Sequence, residues 1–133
     1  MATEIDKLAW VYIKDKKVLC ARSEGKDTYY IPGGKRDVGE NDQQALIREI
    51  KEELSVDIIA KSMEYYGTFK AQADGKPKGI MVKITCYQAE FDGILSVDSE
   101  IEEMKWLDSN GLGKCSVVVQ ELFSDLRQKG LIL

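Results

Sequence analysis

The chain has 133 residues and not one histidine. That absence removes every mechanism that needs an imidazole base, nucleophile or metal ligand. Cysteine is scarce: Cys20, Cys86 and Cys115 are scattered, odd in number and without the close spacing of a zinc site. They are expected to be reduced thiols in a cytoplasmic protein. No apolar run is long enough to cross a bilayer, and no membrane partner is expected. The acidic start, Met1-Ala2-Thr3-Glu4-Ile5-Asp6, lacks the apolar centre of a secretory leader. A basic surplus is missing too. Nineteen Lys and Arg against twenty-three Asp and Glu give a net charge of −4, which disfavours a large nucleic acid as partner. A small anionic substrate remains compatible with that charge, because a bound divalent cation inverts the local field.

What is present fits one domain spanning residues 1–133. A chain of this size buries roughly two-thirds of its unfolded surface and needs no disulfide or structural metal. Residues 8–13 and 18–22 are short apolar runs separated by Asp15-Lys16-Lys17, which predicts a β-hairpin. Tyr29-Tyr30-Ile31 reads as the end of a strand stopped by Pro32-Gly33-Gly34. From Asn41 to Leu54 the period becomes helical, with Asn41 and Gln44 placed for a capping box. Strands are predicted over 56–60, 63–73, 80–91 and 104–107, with turns at 74–79 and at Asp92-Gly93. Val118, Glu121, Leu122 and Asp125 share helical spacing in a final helix over 117–126. The order predicts an α+β fold with a mixed sheet between two helices, an α/β/α sandwich.

The segment richest in chemistry is Gly33-Gly34-Lys35-Arg36-Asp37-Val38-Gly39-Glu40 and the helix after it. At about 100° per residue, Leu46, Ile47, Ile50 and Leu54 form one arc, the predicted buried face. Glu49, Glu52 and Glu53 form another. Their spacings of three and four make the carboxylates neighbours that repel one another. A solvated acidic face, balanced by Arg48 and Lys51, is one reading of this pattern. The glycine-rich turn before the helix supports a second. It allows close backbone approach to a ligand and can expose a carbonyl to a metal. Carboxylate and carbonyl oxygens, with water and substrate phosphate, are what Mg²⁺ takes.

The spacing Gly34, Glu40, Arg48-Glu49-Ile50, Glu52-Glu53, Ser55, Val56 resembles the Nudix box. That box reads Gly, five residues, Glu, seven residues, Arg-Glu, an aliphatic, any residue, Glu-Glu, any residue, Gly and an aliphatic. Only Ser55 departs, standing where the family has glycine. A left-handed backbone is often needed just after a helix, and serine adopts it at a cost on the order of 1 kcal/mol. The resemblance implies a Nudix-like fold throughout and a Mg²⁺-dependent pyrophosphohydrolase, with Mn²⁺ as a substitute ion. By the same resemblance Glu49, Glu52 and Glu53 would hold the metal, joined by the Gly33 carbonyl and one acid from outside the box. Glu100 is preferred for that acid over Glu103. Arg48 would orient a carboxylate, Glu40 would support it or act as an outer ligand, and one glutamate would take the proton of the attacking water.

For substrate contacts, Lys35, Arg36, Arg22 and Lys83 are candidate phosphate partners or ordinary surface charges. Trp10, Tyr30, Phe69 and Tyr87 are candidate base-stacking groups or core. Of these, Lys35, Arg22, Tyr30 and Phe69 are carried forward. The expected partner is a small nucleotide-like molecule, and the chain is expected to be a monomer or homodimer. A Nudix-fold nucleotide-binding module or sensor without turnover is the alternative, and an acidic interaction domain of another fold is a third.

Overall fold

The computed structural model describes residues 4–133; Met1, Ala2 and Thr3 of the acidic start lie outside the described residues. Its central element is β1 (Glu4–Trp10), which pairs in parallel with β7 (Met81–Gln88) from Glu4↔Met81 to Trp10↔Tyr87. On its other edge β1 meets the two-residue strand β4 (Gly33–Gly34), antiparallel. β6 (Glu64–Gln72) closes the far side of β7, giving the mixed order β4-β1-β7-β6. A second sheet holds β2 (Ile13–Lys14), β3 (Lys17–Ser23) and β9 (Ile101–Leu107) in the order β2-β3-β9. The short strands β5 (Asp57–Ile58) and β8 (Phe91–Asp92) pair with each other.

Side-chain alternation decides where the helices sit. Along β1, Leu8 and Trp10 face one side, with Leu19 of β3, and cover Leu46, Ile50 and Leu54 of α1 (Asp42–Leu54). Ala9 and Val11 face the other, with Val18 and Cys20 of β3 and Val82, Ile84 and Cys86 of β7. That side packs on Val118, Val119, Leu122, Phe123 and Leu126 of α2 (Val117–Gln128). Each of these aliphatic and aromatic side chains contributes about 1.5–3 kcal/mol by leaving water. The result is the predicted mixed sheet between two helices. All three cysteines are buried and unbridged. Among the described residues no helix is long and apolar enough to cross a membrane.

Several element boundaries differ from the sequence reading. The predicted hairpin is confined to β2 and β3, whose turn uses Asp15 and Lys16 at φ 53° and 63°. Two left-handed turn residues match the right-handed twist of the strands they join. The apolar run beginning at Leu8 belongs instead to the other sheet, because β1 finds its partner in β7, far along the chain. The run 80–91 divides into β7 and β8, and β9 begins at Ile101 rather than Met104. Glu102 and Glu103 hid that strand start; Arg22 on the neighbouring β3 pairs with both. Trp10 is core, wholly buried, with its indole N–H donating to the Ala89 carbonyl at 3.1 Å.

Helix α1 begins as its sequence predicts. Asn41 accepts from the Gln44 amide at 2.8 Å, and the Gln44 side chain accepts from the Asn41 amide at 3.0 Å. It ends at Ser55, which is left-handed (φ 65°, ψ 19°) with its N–H bonded to the Lys51 carbonyl at 3.1 Å. A β-carbon in that conformation costs about 1 kcal/mol. Ser55→Gly is therefore expected to raise the melting temperature by roughly 3–5 °C without moving the helix. A calorimetric scan checks this; a lower melting temperature would mean that the serine side chain stabilises the turn by more than its backbone costs.

Candidate active site

The loop from Pro32 to Glu40 is held against the N-terminal part of the molecule by backbone pairing. The Trp10 amide donates to the Pro32 carbonyl at 2.8 Å, and Gly33 and Gly34 oppose Ala9 and Leu8. Gly33 is required, and Gly34 leaves room for Glu49. At Gly33, where φ is 149°, a Cβ would overlap the Leu8 carbonyl; at Gly34 it would overlap the Glu49 carboxylate. This contact brings the loop directly onto the acidic arc of α1.

Arg48 fixes the junction. Its Nε and Nη2 donate to the two oxygens of Glu40 at 2.7 and 2.8 Å. Nη2 also donates to the Lys35 carbonyl at 3.0 Å, and Nη1 donates to Glu49 at 2.8 Å. Glu52 lies at the edge of reach, 3.5 Å from Nη1. The fork geometry of guanidinium suits two oxygens of one carboxylate at once. Beside it, and with the Asp37 amide as a further donor, the Glu40 carboxyl is held down at about 2. Both Glu40 oxygens are thus occupied by protein donors, the arrangement of a support.

Glu53 lies deeper. It is only 4% exposed, and among the described residues its carboxylate accepts one hydrogen bond, from the Gly33 amide at 3.1 Å. Burial pushes its carboxyl up to about 8; the Gly33 amide opposes this, and Glu49 and Glu100 add to it. Burial also raises the Glu49 carboxyl, against the pull of Arg48. Glu100 reaches the same region because its loop is tied to the end of α1. The Ser96 amide donates to the Leu54 carbonyl at 3.0 Å and the Asp98 amide to the Glu53 carbonyl at 2.9 Å. Those bonds also satisfy helix-end carbonyls that have no partner within the helix.

Glu49, Glu53 and Glu100 line one cleft of about 720 Å³, together with Gly33, Gly34, Lys35 and Tyr30. One wall is apolar, built from Val82, Ile84, Val118 and Val119. Among the described residues no three acidic groups already close around a single ion-sized point. Hard carboxylate oxygens sharing a cleft, with room left for water and phosphate oxygens, are what Mg²⁺ requires, so the residues present fit that ion. Glu52 does not line the cleft; its side chain is 53% exposed and loosely held.

A family model, the NUDIX domain, matches residues 7–121 of this chain. The chain belongs to the Nudix family. Among curated proteins it is 28% identical over 115 residues to an ADP-ribose pyrophosphatase of Methanocaldococcus jannaschii. That match covers 84% of this chain and 66% of the relative, so the chain spans a little under two-thirds of the relative's length. Among solved structures it resembles the E. coli ORF135 protein (24% identity, TM-score 0.72, covering 95% of this chain and 92% of that one). It also resembles a MutT protein from Methanosarcina mazei Go1 (16% identity, TM-score 0.75, 97% and 96% covered). These two likenesses concern the fold.

Within this Nudix fold the other sequence-predicted residues separate clearly. Lys35 and Tyr30 reach the cleft, and Tyr30 shares a hydrogen bond with Ser23 at 2.9 Å. Arg22 and Phe69 do not line it. Arg22 is engaged by Glu102 and Glu103, and Phe69 stacks on Tyr66. Glu103 is taken by Arg22 and the Tyr29 hydroxyl, which leaves Glu100 as the acid at the cleft. Arg36 pairs with Asp6 and Asp42, Lys83 with Glu4 and Asp6, and the Tyr87 hydroxyl donates to Asp42. Lys7 and Lys76 line the cleft and were not singled out from sequence. No local signal marked either lysine: Lys7 is an exposed residue in the charged first half of β1.

The raised Glu53 carboxyl has a consequence for stability. Its folded value, about 8, lies above the ordinary 4.5. Its contribution is therefore complete below about pH 4.5 and is lost as pH rises through 8, on the order of a few kcal/mol in all. Glu49 shifts in the same direction. The metal-free protein is expected to melt progressively lower between pH 5 and pH 8, and Glu53→Gln to flatten that slope. Thermal melts in a chelating buffer across this range check it; an unchanged slope in the variant would mean that Glu53 is not the responsible group.

Proposed function

We propose that this chain is a Mg²⁺-dependent pyrophosphohydrolase. Its substrate would be a small nucleotide-like molecule, a nucleoside triphosphate or another nucleoside-diphosphate-linked metabolite, cut at the diphosphate linkage. The observation that carries this reading is the meeting of Glu49, Glu53 and Glu100 with Lys35 in one cleft. Mg²⁺, or Mn²⁺ in its stead, supplies neutralisation of phosphate charge and acidification of water when bound. Glu49, Glu53 and Glu100 would hold it, with the Gly33 carbonyl as a further oxygen ligand. Glu52, 3.5 Å from Arg48 and half exposed, would join them by rotation of its side chain. Arg48 keeps Glu49 oriented, and Glu40 keeps Arg48 in place. Lys35 meets a phosphate oxygen, and Tyr30 borders the bound nucleoside. One of the cleft carboxylates accepts the proton released as water attacks phosphorus.

The test is a panel of nucleoside triphosphates, dinucleotides and nucleoside-diphosphate sugars, with and without millimolar Mg²⁺. ADP-ribose belongs in it, since the relative from Methanocaldococcus jannaschii is called an ADP-ribose pyrophosphatase. Mg²⁺-dependent release of a nucleoside monophosphate is expected for at least one compound. Glu53→Gln and Glu52→Gln are each expected to lower kcat by at least about a hundredfold, the scale of losing a charge-stabilising partner in a transition state. Tight nucleotide binding with no turnover across the panel would favour the binding module instead.

A further inference from the structure

Lys7 sits beside the acidic site without being consumed by it. On β1 it follows the register Leu8↔Gly34 and Ala9↔Gly33 by one residue, which brings it next to Lys35. Both side chains line the cleft, as does Lys76 from the turn between β6 and β7. That turn is braced: the Gln72 side chain donates to the Pro77 carbonyl at 2.9 Å and accepts from the Gly79 amide at 2.9 Å. The Val117 amide donates to Asp74 at 3.4 Å. Lys51, Lys70, Lys83 and Lys129 are ion-paired. Among the described residues Lys7, Lys35 and Lys76, like several lysines outside the cleft, form no such pair.

Like charges set side by side across two strands are destabilising. Desolvation in the cleft lowers the pKa of the Lys7 ammonium most and the repulsion of Lys35 adds to it, while Glu53 and Glu49 oppose this. Lys7, Lys26, Lys35 and Lys76 line the cavity together with Asp27, Glu49, Glu53, Asp74 and Glu100, so it carries both signs of charge. A cation answers to the carboxylates, and an anion with several charges answers to the lysines. A diphosphate has oxygens enough to meet both.

We propose that Lys7, with Lys35 and Lys76, is a diphosphate-binding residue of the cleft that Glu49, Glu53 and Glu100 also line, taking phosphate oxygens there. This rests on the reading of the cleft as a pyrophosphohydrolase site and adds to it a contact from β1, outside the motif helix and its loop. Lys7 binds and positions the diphosphate; it transfers no proton.

The probe is methylenediphosphonate, which carries two linked phosphonates and is not hydrolysed, titrated calorimetrically in millimolar Mg²⁺, with orthophosphate as the single-phosphate comparison. Lys7→Gln is expected to weaken methylenediphosphonate binding by about ten- to a hundredfold, the range for losing one charge-assisted hydrogen bond. Orthophosphate should change less. Lys7→Arg should recover most of the loss. Lys17→Gln, on the β2–β3 hairpin away from the cleft, removes the same charge and should leave binding within twofold. For any substrate found in the panel, Lys7→Gln should raise KM more than it lowers kcat. Wild-type binding that Lys7→Gln leaves within twofold would overturn the lysine assignment and leave the hydrolase reading intact. An equal loss from Lys17→Gln would also overturn it, by reducing the effect to net charge. A wild-type protein that turns over a nucleotide yet does not bind methylenediphosphonate would overturn it as well. A wild-type protein that neither binds the probe nor turns over any nucleotide would overturn both.

Discussion

The site depends first on one guanidinium. Arg48 stands among Glu40, Glu49, Glu52 and Asp37 and donates to a backbone carbonyl of the glycine-rich loop as well. Without a fixed cation there, a helix carrying Glu49, Glu52 and Glu53 on one arc would spread its carboxylates into solvent. With it, the loop is drawn down until Gly34 touches the Glu49 carboxylate and Gly33 donates to Glu53. A lysine could neutralise the same charge. It could not engage both oxygens of Glu40 while holding Glu49 and a carbonyl in fixed directions. Neutralisation and geometry are thus supplied by the same planar group.

Arg48 balances only part of the acidic charge. Glu40 is fully satisfied and held ionised, whereas Glu53 has a single backbone donor and a carboxyl raised by burial. Two glutamates of one motif, thirteen residues apart, therefore sit in opposite electrostatic states. The first is a structural anion. The second is one whose charge the protein alone does little to stabilise. That contrast separates the supporting part of the motif from the part available for chemistry.

Much of this was legible in the chain, and the parts that were not share a cause. Helix α1, its capping box and its left-handed exit at Ser55 depend on neighbours within four residues. Helical period and cap chemistry therefore announce them. The motif spacing was legible for the same reason, since it folds onto one helix and the turn before it. The parallel pairing of β1 with β7 joins residues more than seventy positions apart, and no local signal encodes a partner that distant. Misjudging it turned β1 into half of a hairpin and concealed Lys7, whose position matters only once β4 lies beside β1. Arg22 and Phe69 left the candidate list because their partners, β9 and Tyr66, were equally invisible from composition. Glu100 could be preferred over Glu103 from sequence but not explained; the explanation is that Arg22 and Tyr29 engage Glu103.

The net charge of −4 is reconciled with a polyanionic ligand once charge is resolved by position. The acidic groups nearest the cleft are partly cancelled by Arg48, partly raised toward neutrality by burial, and open to a divalent cation on the remainder. The lysines that line the cleft, Lys7, Lys26, Lys35 and Lys76, have no carboxylate within ion-pairing distance among the described residues. Their fields are therefore not spent on the protein itself. At about 8–10 Å of screening length, the ligand senses this local arrangement far more than the total over the surface. A chain acidic overall can in this way present a cleft that attracts an anion, provided that a metal neutralises its carboxylates while its lysines remain free.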